Sequence, residues 1–488
     1  LYYLRRFLKF LENYLQGCDM VSTQISVEQA VFFIAIYETL KNNKSKLNSR
    51  ITDRDRKNIS DAMGIVGSVF RSHIYDHGFS GKRQNIPISE VQNFVGVCMK
   101  YIDHTINVNK RNDSLYHAYN LLTISEDSMA IDHLSEMLEG QVAVISSGYL
   151  SSQETLAVLD GMRSSALYRT DQNSYLLYPN KELPKFLEKN NIESHSVKSN
   201  ELLNRLLTDE NYDIIQPDIQ GGYHFNGNFK NASDVQLALD QLAQMGYEAL
   251  VEKNKESVLQ IFENVFNHKA FTGRSGTFYA YEGLGSIYWH MVSKLHLAVQ
   301  ESLLRAIDQN DDTLLISKLS EHYDAIGAGI GIHKPPALYG AFPSDPYSHT
   351  PMHRGAQQPG MTGQVKEDII VRMAELGIRV VNGKLGFDPS LLKKDEFLKE
   401  DKTGKYIDVL GQEIEISLKS DSLFFTYCQI PVVYTISDRT GISLKFYDQS
   451  PIHIDSLELD ADISRQIFGR SAIIKEVTVF IQESQLRH

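Results

Sequence analysis

The hydrophobic periodicity of this chain changes in its last quarter, and this change limits the folds that the chain can adopt. Through about residue 325 the apolar residues recur every three or four positions, which predicts helices. After residue 377 they form short runs such as EIEISL, LFFTY, VVYTI, ISLKFY and KEVTVFI, which are typical of β-strands. Asn382-Gly383, between two apolar runs, predicts a type I′ hairpin. We therefore expect a helical region followed by a β region.

Three serines that are followed three positions later by Gln or Glu predict helix N-termini with capping boxes: Ser26 with Gln29, Ser89 with Gln92, and Ser151 with Glu154. The segments SVEQAVFFIAIYETLKN and GLGSIYWHMVSKLHLAVQESLLRAI are apolar around most of their circumference, so we expect both to be inner helices. No 30-to-45-residue motif repeats, which favours a closed, double-layered helical barrel over a regular solenoid.

The domain organisation follows from these patterns. Residues 1–325 form the helical barrel, and 377–488 form a C-terminal β-sandwich. Between them, 326–376 contains a long loop rich in Gly, Pro, His and Ser, which we expect to cover a site, and a short helix at 363–376. The expected fold class is mainly α.

Composition excludes several classes of protein. The net charge of −12 argues against a partner that is a nucleic acid or an anionic membrane. The three cysteines are far apart, so neither a disulfide framework nor a zinc site is indicated, and a cytoplasmic location is preferred. The opening segment LYYLRRFLKFLENYLQ is interrupted by charges and resembles neither a signal peptide nor a membrane span. Since the chain begins with Leu1, we expect processing or a longer parent chain.

Thr362 and Gly363 lie at the predicted start of a helix after a Gly- and Pro-rich loop. Free backbone N–H groups and the helix dipole make such a place suitable for an anion. The alternative is that Thr362 only caps the helix.

A second candidate segment, 271–295, sets polar side chains among aromatic ones: Arg274, Glu282, Trp289 and His290. Aromatic faces beside a few polar groups suit sugar rings. The alternative for His290 is a hydrogen-bonded histidine of the core.

The third candidate is Asp113 in the segment KRNDSLYHAYNLL, between two helical patterns. Its carboxyl group is either a helix or turn cap or the acid of an active site.

These segments together resemble a family. YEGLGSIYWHMVSKLHLAVQE resembles the helix with the phosphate-binding histidine of cellobiose and chitobiose phosphorylases. GMTGQVKEDIIVRMAELGIRVVNGKLGFDP resembles their Thr-Gly helix and strand pair, and RNDSLYH resembles their general-acid segment.

The resemblance implies an (α/α)6 barrel in which Asp113 is the general acid and His290, Thr362 and Gly363 bind phosphate. The chain departs from the family at Arg111, where a tryptophan is usual. The family's upstream phosphate-binding arginine has no clear counterpart here; Arg274 or Arg354 are candidates. The family's N-terminal β-sandwich and first barrel helices are also not found in the sequence, which is consistent with a fragment.

Further residues of loops are candidates for sugar subsites or for a lid over the phosphate. They are Arg169, Asp171, Gln172, Tyr223, His224 and Asn226 for the subsites, and Asp345, His349, His353 and Arg354 for the lid. Ordinary turn chemistry is the alternative for the subsite residues. Carboxylates at helical metal-ligand spacing are missing beside the two histidines, so we expect no metal site.

The expected function is an inverting phosphorylase that acts on a β-linked gluco-oligosaccharide and gives a sugar 1-phosphate. We expect no cofactor, because inorganic phosphate is both the co-substrate and the nucleophile. The general acid must be protonated near neutral pH, which requires a raised pKa. An inverting hydrolase, with Glu282 or Asp345 as base, and a non-catalytic carbohydrate-binding relative remain alternatives. Related enzymes are often dimers, so the resemblance implies a homodimer or association with a missing N-terminal region.

Overall fold

The computed structural model describes residues 1–180, 184–267, 287–330, 349–350 and 363–487, without the side chains of 349–350 and 363–365. The chain divides into two compact units, Leu1–Met361 and Thr362–His488. Across the described ranges, no helix combines the length and the apolar character needed to cross a membrane.

The first unit opens with four helices and a pair of strands: α1 (Tyr2–Gln16), β1 (Ser22–Ser26), α2 (Val27–Asn42), α3 (Asp53–His77), β2 (Arg83–Pro87) and α4 (Ile88–Val108). The strands pair antiparallel, α1 packs on α4, and α2 packs on α3. The predicted cap at Ser26 is confirmed, since its hydroxyl accepts a hydrogen bond from the backbone N–H of Gln29 at 3.1 Å.

Two predictions for this region are wrong. Ser89 caps no helix, because α4 already begins at Ile88, with Pro87 at the N-cap position. The segment of α2 is not an inner helix, because its buried residues are only Glu28, Ala30 and Leu40, whereas Val31 is 62% exposed. Apolar residues around a helix show that it can be covered on all sides, but they do not show that it is.

The chain continues through two hairpins and two helices: β3 (Leu121–Ile124), β4 (Met129–Asp132), α5 (Leu138–Ser146), α6 (Ser152–Ser164), β5 (Tyr168–Arg169) and β6 (Ser174–Tyr175). The capping box predicted at the start of α6 is confirmed, with reciprocal hydrogen bonds between Ser151 and Glu154. β3 pairs with β4, and β5 pairs with β6, both antiparallel.

Residues 184–267 have a core of their own. They contain α7 (Phe186–Lys189), α8 (Ser194–Lys198), α9 (Glu201–Thr208), β7 (Ile215–Pro217), β8 (Tyr223–Phe225), α10 (Ala232–Leu242) and α11 (Glu248–Phe266). A single cluster of buried side chains extends from Ile192 to Phe266.

The first unit ends with a helix pair: β9 (Ile287–Tyr288), α12 (Trp289–Asp308), α13 (Thr313–Gly329) and β10 (His349–Thr350). β10 pairs antiparallel with β9. α12 packs on α5, α6 and α13 and buries residues along its whole length, which confirms the predicted inner helix.

The second unit begins with α14 (Gly363–Glu375) and continues as strands: β11 (Ile378–Val381), β12 (Lys384–Phe387), β13 (Lys402–Ile407), β14 (Glu413–Leu418), β15 (Ser422–Tyr427), β16 (Ile430–Ile436), β17 (Gly441–Phe446), β18 (Ile452–Ile454), and β19 (Ile474–Ile481) after α15 (Ala461–Phe468). Five of them form a mixed sheet in the order β15-β16-β19-β17-β18, with β16 and β19 parallel. β11 and β12 form the predicted hairpin, with positive φ at Asn382 (52°) and Gly383 (76°). A helical part followed by a β-rich part is thus confirmed, whereas the (α/α)6 barrel and the two-sheet sandwich stay predictions.

Candidate functional site

Asp113 lies at the tip of a tight turn that is fastened to the start of α5. The backbone N–H of Arg111 donates to the carbonyl of Leu115 at 2.8 Å and closes the turn. Beyond it, the buried amide of Gln141 accepts from the N–H of Tyr116 and donates to its carbonyl, both at 2.9 Å. Because these backbone groups are buried and need hydrogen-bond partners within the protein, Gln141 fixes the position of the turn.

The carboxylate of Asp113 is paired with Arg111. The Nε of Arg111 lies 3.0 Å from Oδ1 and its Nη2 lies 2.7 Å from Oδ2, while the N–H of Leu115 donates to Oδ1 at 3.2 Å. The guanidinium lowers the pKa of Asp113, whose side chain is 47% exposed. The raised pKa that an acid needs at neutral pH is therefore not found here, and a charged partner is the reason. The carboxylate also caps its own turn, which was the alternative interpretation.

Arg111 contacts a second carboxylate. Its Nη1 lies 3.4 Å from Oε2 of Glu136, whose side chain is 20% exposed. Beside this group, the rings of His117 and His133 stack at 3.9 Å between centroids, and burial lowers the pKa of both. Two carboxylates thus share one arginine and lie near a pair of stacked histidines that are neutral at pH 7.

The turn of Asp113 rests on α6. A Cβ added to Gly161 would lie 2.7 Å from the carbonyl oxygen of Asp113, so this helix approaches the turn where it has no side chain. The neighbouring Asp160 bonds in another direction, to Nε2 of the buried His322 in α13 at 2.8 Å. The C-terminal half of α6 therefore joins the turn to α13.

The directions of α6 and α12 bring His290 toward the same end of the unit. Nη1 of Arg305, near the end of α12, lies 3.4 Å from the position of a Cβ on Gly148, just before α6 begins. At the other end of α6, Asp160 bonds to His322 of α13, and α13 meets the first half of α12 where Gly327 approaches His296, so α6 and α12 run in opposite directions. The start of α12, with His290, therefore points toward the end of α6 that supports Asp113.

The β5–β6 hairpin joins this end as well. β6 contacts β9, which leads directly into α12. A Cβ on Gly329, the last residue of α13, would lie 2.0 Å from the carbonyl oxygen of Asn173 in the hairpin turn. The hairpin, the start of α12 and the end of α13 are therefore neighbours, whereas the roles of Arg169, Asp171 and His290 stay predictions.

Within the hairpin, Arg169 is buried and held by Asp171, whose carboxylate accepts from Nε at 2.8 Å and from Nη2 at 3.0 Å. The backbone N–H of Gln172 donates to the carbonyl of Arg169 at 3.3 Å. Arg169 and Ser174 are cross-strand partners, so their side chains share one face of the hairpin. An arginine held in this way is a preorganised cation at the end of the unit that carries Asp113.

The first residues of α12 differ in exposure. Trp289 is only 1% exposed, so its ring packs in the core and presents no open face to a sugar. His290 is half-buried, and the hydroxyl of Tyr288 lies 3.3 Å from its Nδ1.

Tyr223 and His224 lie in β8, within residues 184–267. Nδ1 of His224 is 2.5 Å from the carbonyl of Asn190, and Nε2 is 2.9 Å from Oδ2 of Asp218. These two acceptors, the carbonyl first, raise the pKa of His224. Here the turn-chemistry alternative fits well, since His224 ties together two segments of this region.

Several predicted residues lie outside the described residues: Arg274, Glu282, Asp345, His353, Arg354 and Thr362. His349 is described only as part of β10, and Gly363 only as the first residue of α14. In the ranges that are described, no three His, Cys, Asp or Glu side chains are grouped to hold a metal ion.

Sequence reasoning missed Glu136 and the Asp160–His322 pair. Neither belongs to a motif, and the partners are far apart in the chain, by 162 positions for the pair. A signal was present only for Arg111, as the departure from the tryptophan that the resemblance leads one to expect.

In a comparison with known protein families, residues 183–269 match GH149 phosphorylase insertion domain 2. The match coincides with the region that has its own core and supports a glycoside phosphorylase-like family. The comparison with curated proteins gives no match. The chain therefore resembles a carbohydrate-active enzyme of the phosphorylase type.

Proposed function

We propose that the protein is an inverting glycoside phosphorylase that cleaves a β-linked gluco-oligosaccharide with inorganic phosphate and releases a sugar 1-phosphate. The observation that carries this proposal is the match of residues 183–269 to an insertion domain of GH149 phosphorylases. The gathering of Asp113, Arg169 and His290 toward one end of the first unit supports it.

We assign the role of general acid to Asp113. It donates a proton to the glycosidic oxygen, the bond from that oxygen to the anomeric carbon breaks, and the departing sugar leaves with a new hydroxyl group. Its position at a half-exposed turn tip suits this role, because a leaving sugar needs a path to solvent. The low pKa imposed by Arg111 has to be relieved before the step, because the carboxyl must carry the proton.

We assign phosphate binding to His290, Thr362 and Gly363. Phosphate attacks the anomeric carbon from the face opposite the acid, which inverts the configuration and requires no carboxylate base. A half-buried histidine at the start of a helix suits an anion, since the helix dipole favours negative charge there. The start of α14 at Gly363 has the same property in the second unit. Arg169, held by Asp171, is a further cation for the substrate.

Phosphate dependence decides between this function and its rivals. The purified protein is incubated with a panel of β-linked gluco-oligosaccharides, with and without phosphate, and sugar 1-phosphate is measured. Release of free sugar without phosphate would establish a hydrolase instead. Oligosaccharide binding with no turnover in either condition, unchanged by Asp113→Asn, would establish a non-catalytic relative.

The substitution Asp113→Asn tests the acid itself. Loss of a general acid costs about 10²–10⁴-fold in rate, so we expect turnover to fall below a few per cent while the thermal unfolding curve is kept. Asp132→Asn is the matched control, because Asp132 is exposed at the end of β4. Turnover above a few per cent in Asp113→Asn would show that another group is the acid.

A further inference from the structure

Arg111 lies between two carboxylates and makes unequal contacts with them. It is bonded to Asp113 through Nε and Nη2, at 3.0 and 2.7 Å, and approaches Glu136 through Nη1 at 3.4 Å. A guanidinium has five N–H groups in a planar fork, so it can serve both acceptors or turn toward either one. A small rotation would therefore exchange the close partner.

The chemistry of Asp113 makes opposite demands on this arginine. Before proton transfer the carboxyl must be neutral, and a cation beside it opposes that state. After the transfer it is a carboxylate, and the same cation stabilises it. A cation within about 4–6 Å lowers a carboxyl pKa by about 1–3 units, so at a fixed pH above the pKa the protonated fraction falls by about tenfold for each unit.

We propose that Arg111 is a positioning residue that moves between these carboxylates, with Glu136 holding it while Asp113 carries the proton. As the proton passes to the glycosidic oxygen and the electrons of the breaking bond move onto that oxygen, Arg111 returns to Asp113. This inference rests on the proposed function and deepens it, because it states how this chain operates its acid with an arginine at the position where a tryptophan was expected.

The other charged groups around Asp113 do not replace Arg111. Lys110 faces Glu154, at 3.9 Å, and the Leu115 N–H on Oδ1 is a neutral donor. His117 interacts with both Arg111 and Asp113, but its pKa is lowered. The pKa of His133, which stacks on His117 and faces Arg50 and Asp132, is also lowered. Both histidines are therefore neutral at neutral pH. Among the described side chains, the cation bonded to Asp113 is Arg111.

The test is the pH dependence of kcat in the wild type, Glu136→Gln, Arg111→Gln and the double variant. Activity is lost at high pH as the acid ionises, and phosphate ionises alike in every sample, so differences between variants report the enzyme. Without Glu136, Arg111 stays on Asp113. We expect the basic limb to move to lower pH by about one unit and turnover on that limb to fall about tenfold.

Without Arg111 the limb should move to higher pH by about 1–3 units, while the plateau of kcat falls because the new carboxylate loses its cation. The double variant should match Arg111→Gln, since Glu136 acts only through Arg111. Glu139→Gln, three positions from Glu136, is the matched control and should match the wild type. An unmoved limb in Glu136→Gln, or additive shifts in the double variant, would overturn the inference.

The failure of the proposed function has a different signature. It appears in the wild type as an absence of sugar 1-phosphate with every substrate offered. The inference can still be tested in that case by a carboxyl ¹³C titration of Asp113. A lower pKa for Asp113 in Glu136→Gln than in the wild type supports the sharing of Arg111, and equal values refute it.

Discussion

Substituting Gly161 by Ala tests the contact between α6 and the turn of Asp113. The added methyl group would lie 2.7 Å from the carbonyl oxygen of Asp113, and 3.3 Å from Cδ2 of Leu115. The shortest distance that a methyl carbon tolerates is 3.0 Å, and ordinary van der Waals contact begins at 3.4 Å. The carbonyl oxygen must therefore move away from the methyl group by about 0.3 Å to reach the first distance and by about 0.7 Å to reach the second. The atom in the way belongs to the backbone, so no side-chain rotation relieves the clash.

The magnitude follows from two opposing terms. Overpacking costs about 1–3 kcal/mol, whereas Gly to Ala inside a helix gains about 0.8–1 kcal/mol. The free energy of unfolding should therefore fall by about 0–2 kcal/mol. Gly64→Ala is the matched control, since Gly64 lies in helix α3 with nothing within 4 Å of the added methyl, and it should show the gain alone.

Urea unfolding measures the stability, and initial rates of sugar 1-phosphate release measure the effect on the acid. A displacement of this size should lower kcat about tenfold, because a misplacement of 1 Å can cost about a hundredfold. KM should change less, since the turn is expected to act on the bond and not to bind the sugar. If Gly161→Ala is stabilised as much as Gly64→Ala and keeps its kcat, the close approach of α6 to Asp113 is refuted.

Two further predictions concern the second unit. Burial, with the charge of Glu367 as a smaller cause, raises the pKa of Asp368 to about 6; a raised carboxyl pKa gives stability that is present below about pH 4 and is lost as pH rises through 6. Asp368→Asn should therefore be more stable than the wild type at pH 8, and the gain in unfolding free energy should be well below the roughly 3 kcal/mol of the full pKa shift, because solvent screens this partly exposed carboxyl. The gain should be smaller at pH 5, and equal gains at both pH values would contradict the burial of this carboxyl. Gly377→Ala should lower the free energy of unfolding by about 1–3 kcal/mol more than Gly411→Ala does. Both glycines have positive φ, 74° and 77°. Of the two, only Gly377 would place the added methyl against a backbone oxygen, that of Asp388 at 2.3 Å. Equal losses of unfolding free energy in the two variants would rule out that clash.

The type and order of the elements could be predicted because periodicity and turn chemistry are local. The Asn382-Gly383 turn is one case, since both residues must adopt positive φ and few others do so readily. Ser89 shows the limit, because the capping pattern is present but Pro87 already starts the helix. Local signals find a helix, but neighbouring signals compete to decide where it begins.

The candidate site was predictable only in part, because its electrostatics depend on tertiary contacts. The sequence points to Asp113 and to His290, and helix directions bring both toward one end of the first unit. It does not show that Arg111, the partner of Asp113, also approaches Glu136, at 3.4 Å. Partners 25 positions apart with no fixed spacing leave no pattern in a single sequence.

The region matched to the phosphorylase insertion domain has two structural features of a unit that folds alone. Its first and last helices are in contact, since the rings of Phe186 and Phe266 stack at 5.9 Å, so the ends of the insertion lie close together. The buried residues from Ile192 to Phe266 form one cluster, in which Phe262 packs edge-on against Phe225. Termini that lie close together and a separate hydrophobic core are properties of a domain that can be inserted into another.

We therefore expect residues 184–267, expressed alone, to give a helical circular dichroism spectrum and one cooperative urea transition. A fragment that stops at residue 246 is the control, because it lacks α11 and with it Phe262 and Phe266, and should stay unfolded. A gradual, non-cooperative transition in the longer fragment would mean that the core depends on the surrounding helices. A cooperative one would show that the boundaries of the family match, 183 and 269, are also the boundaries of a folding unit.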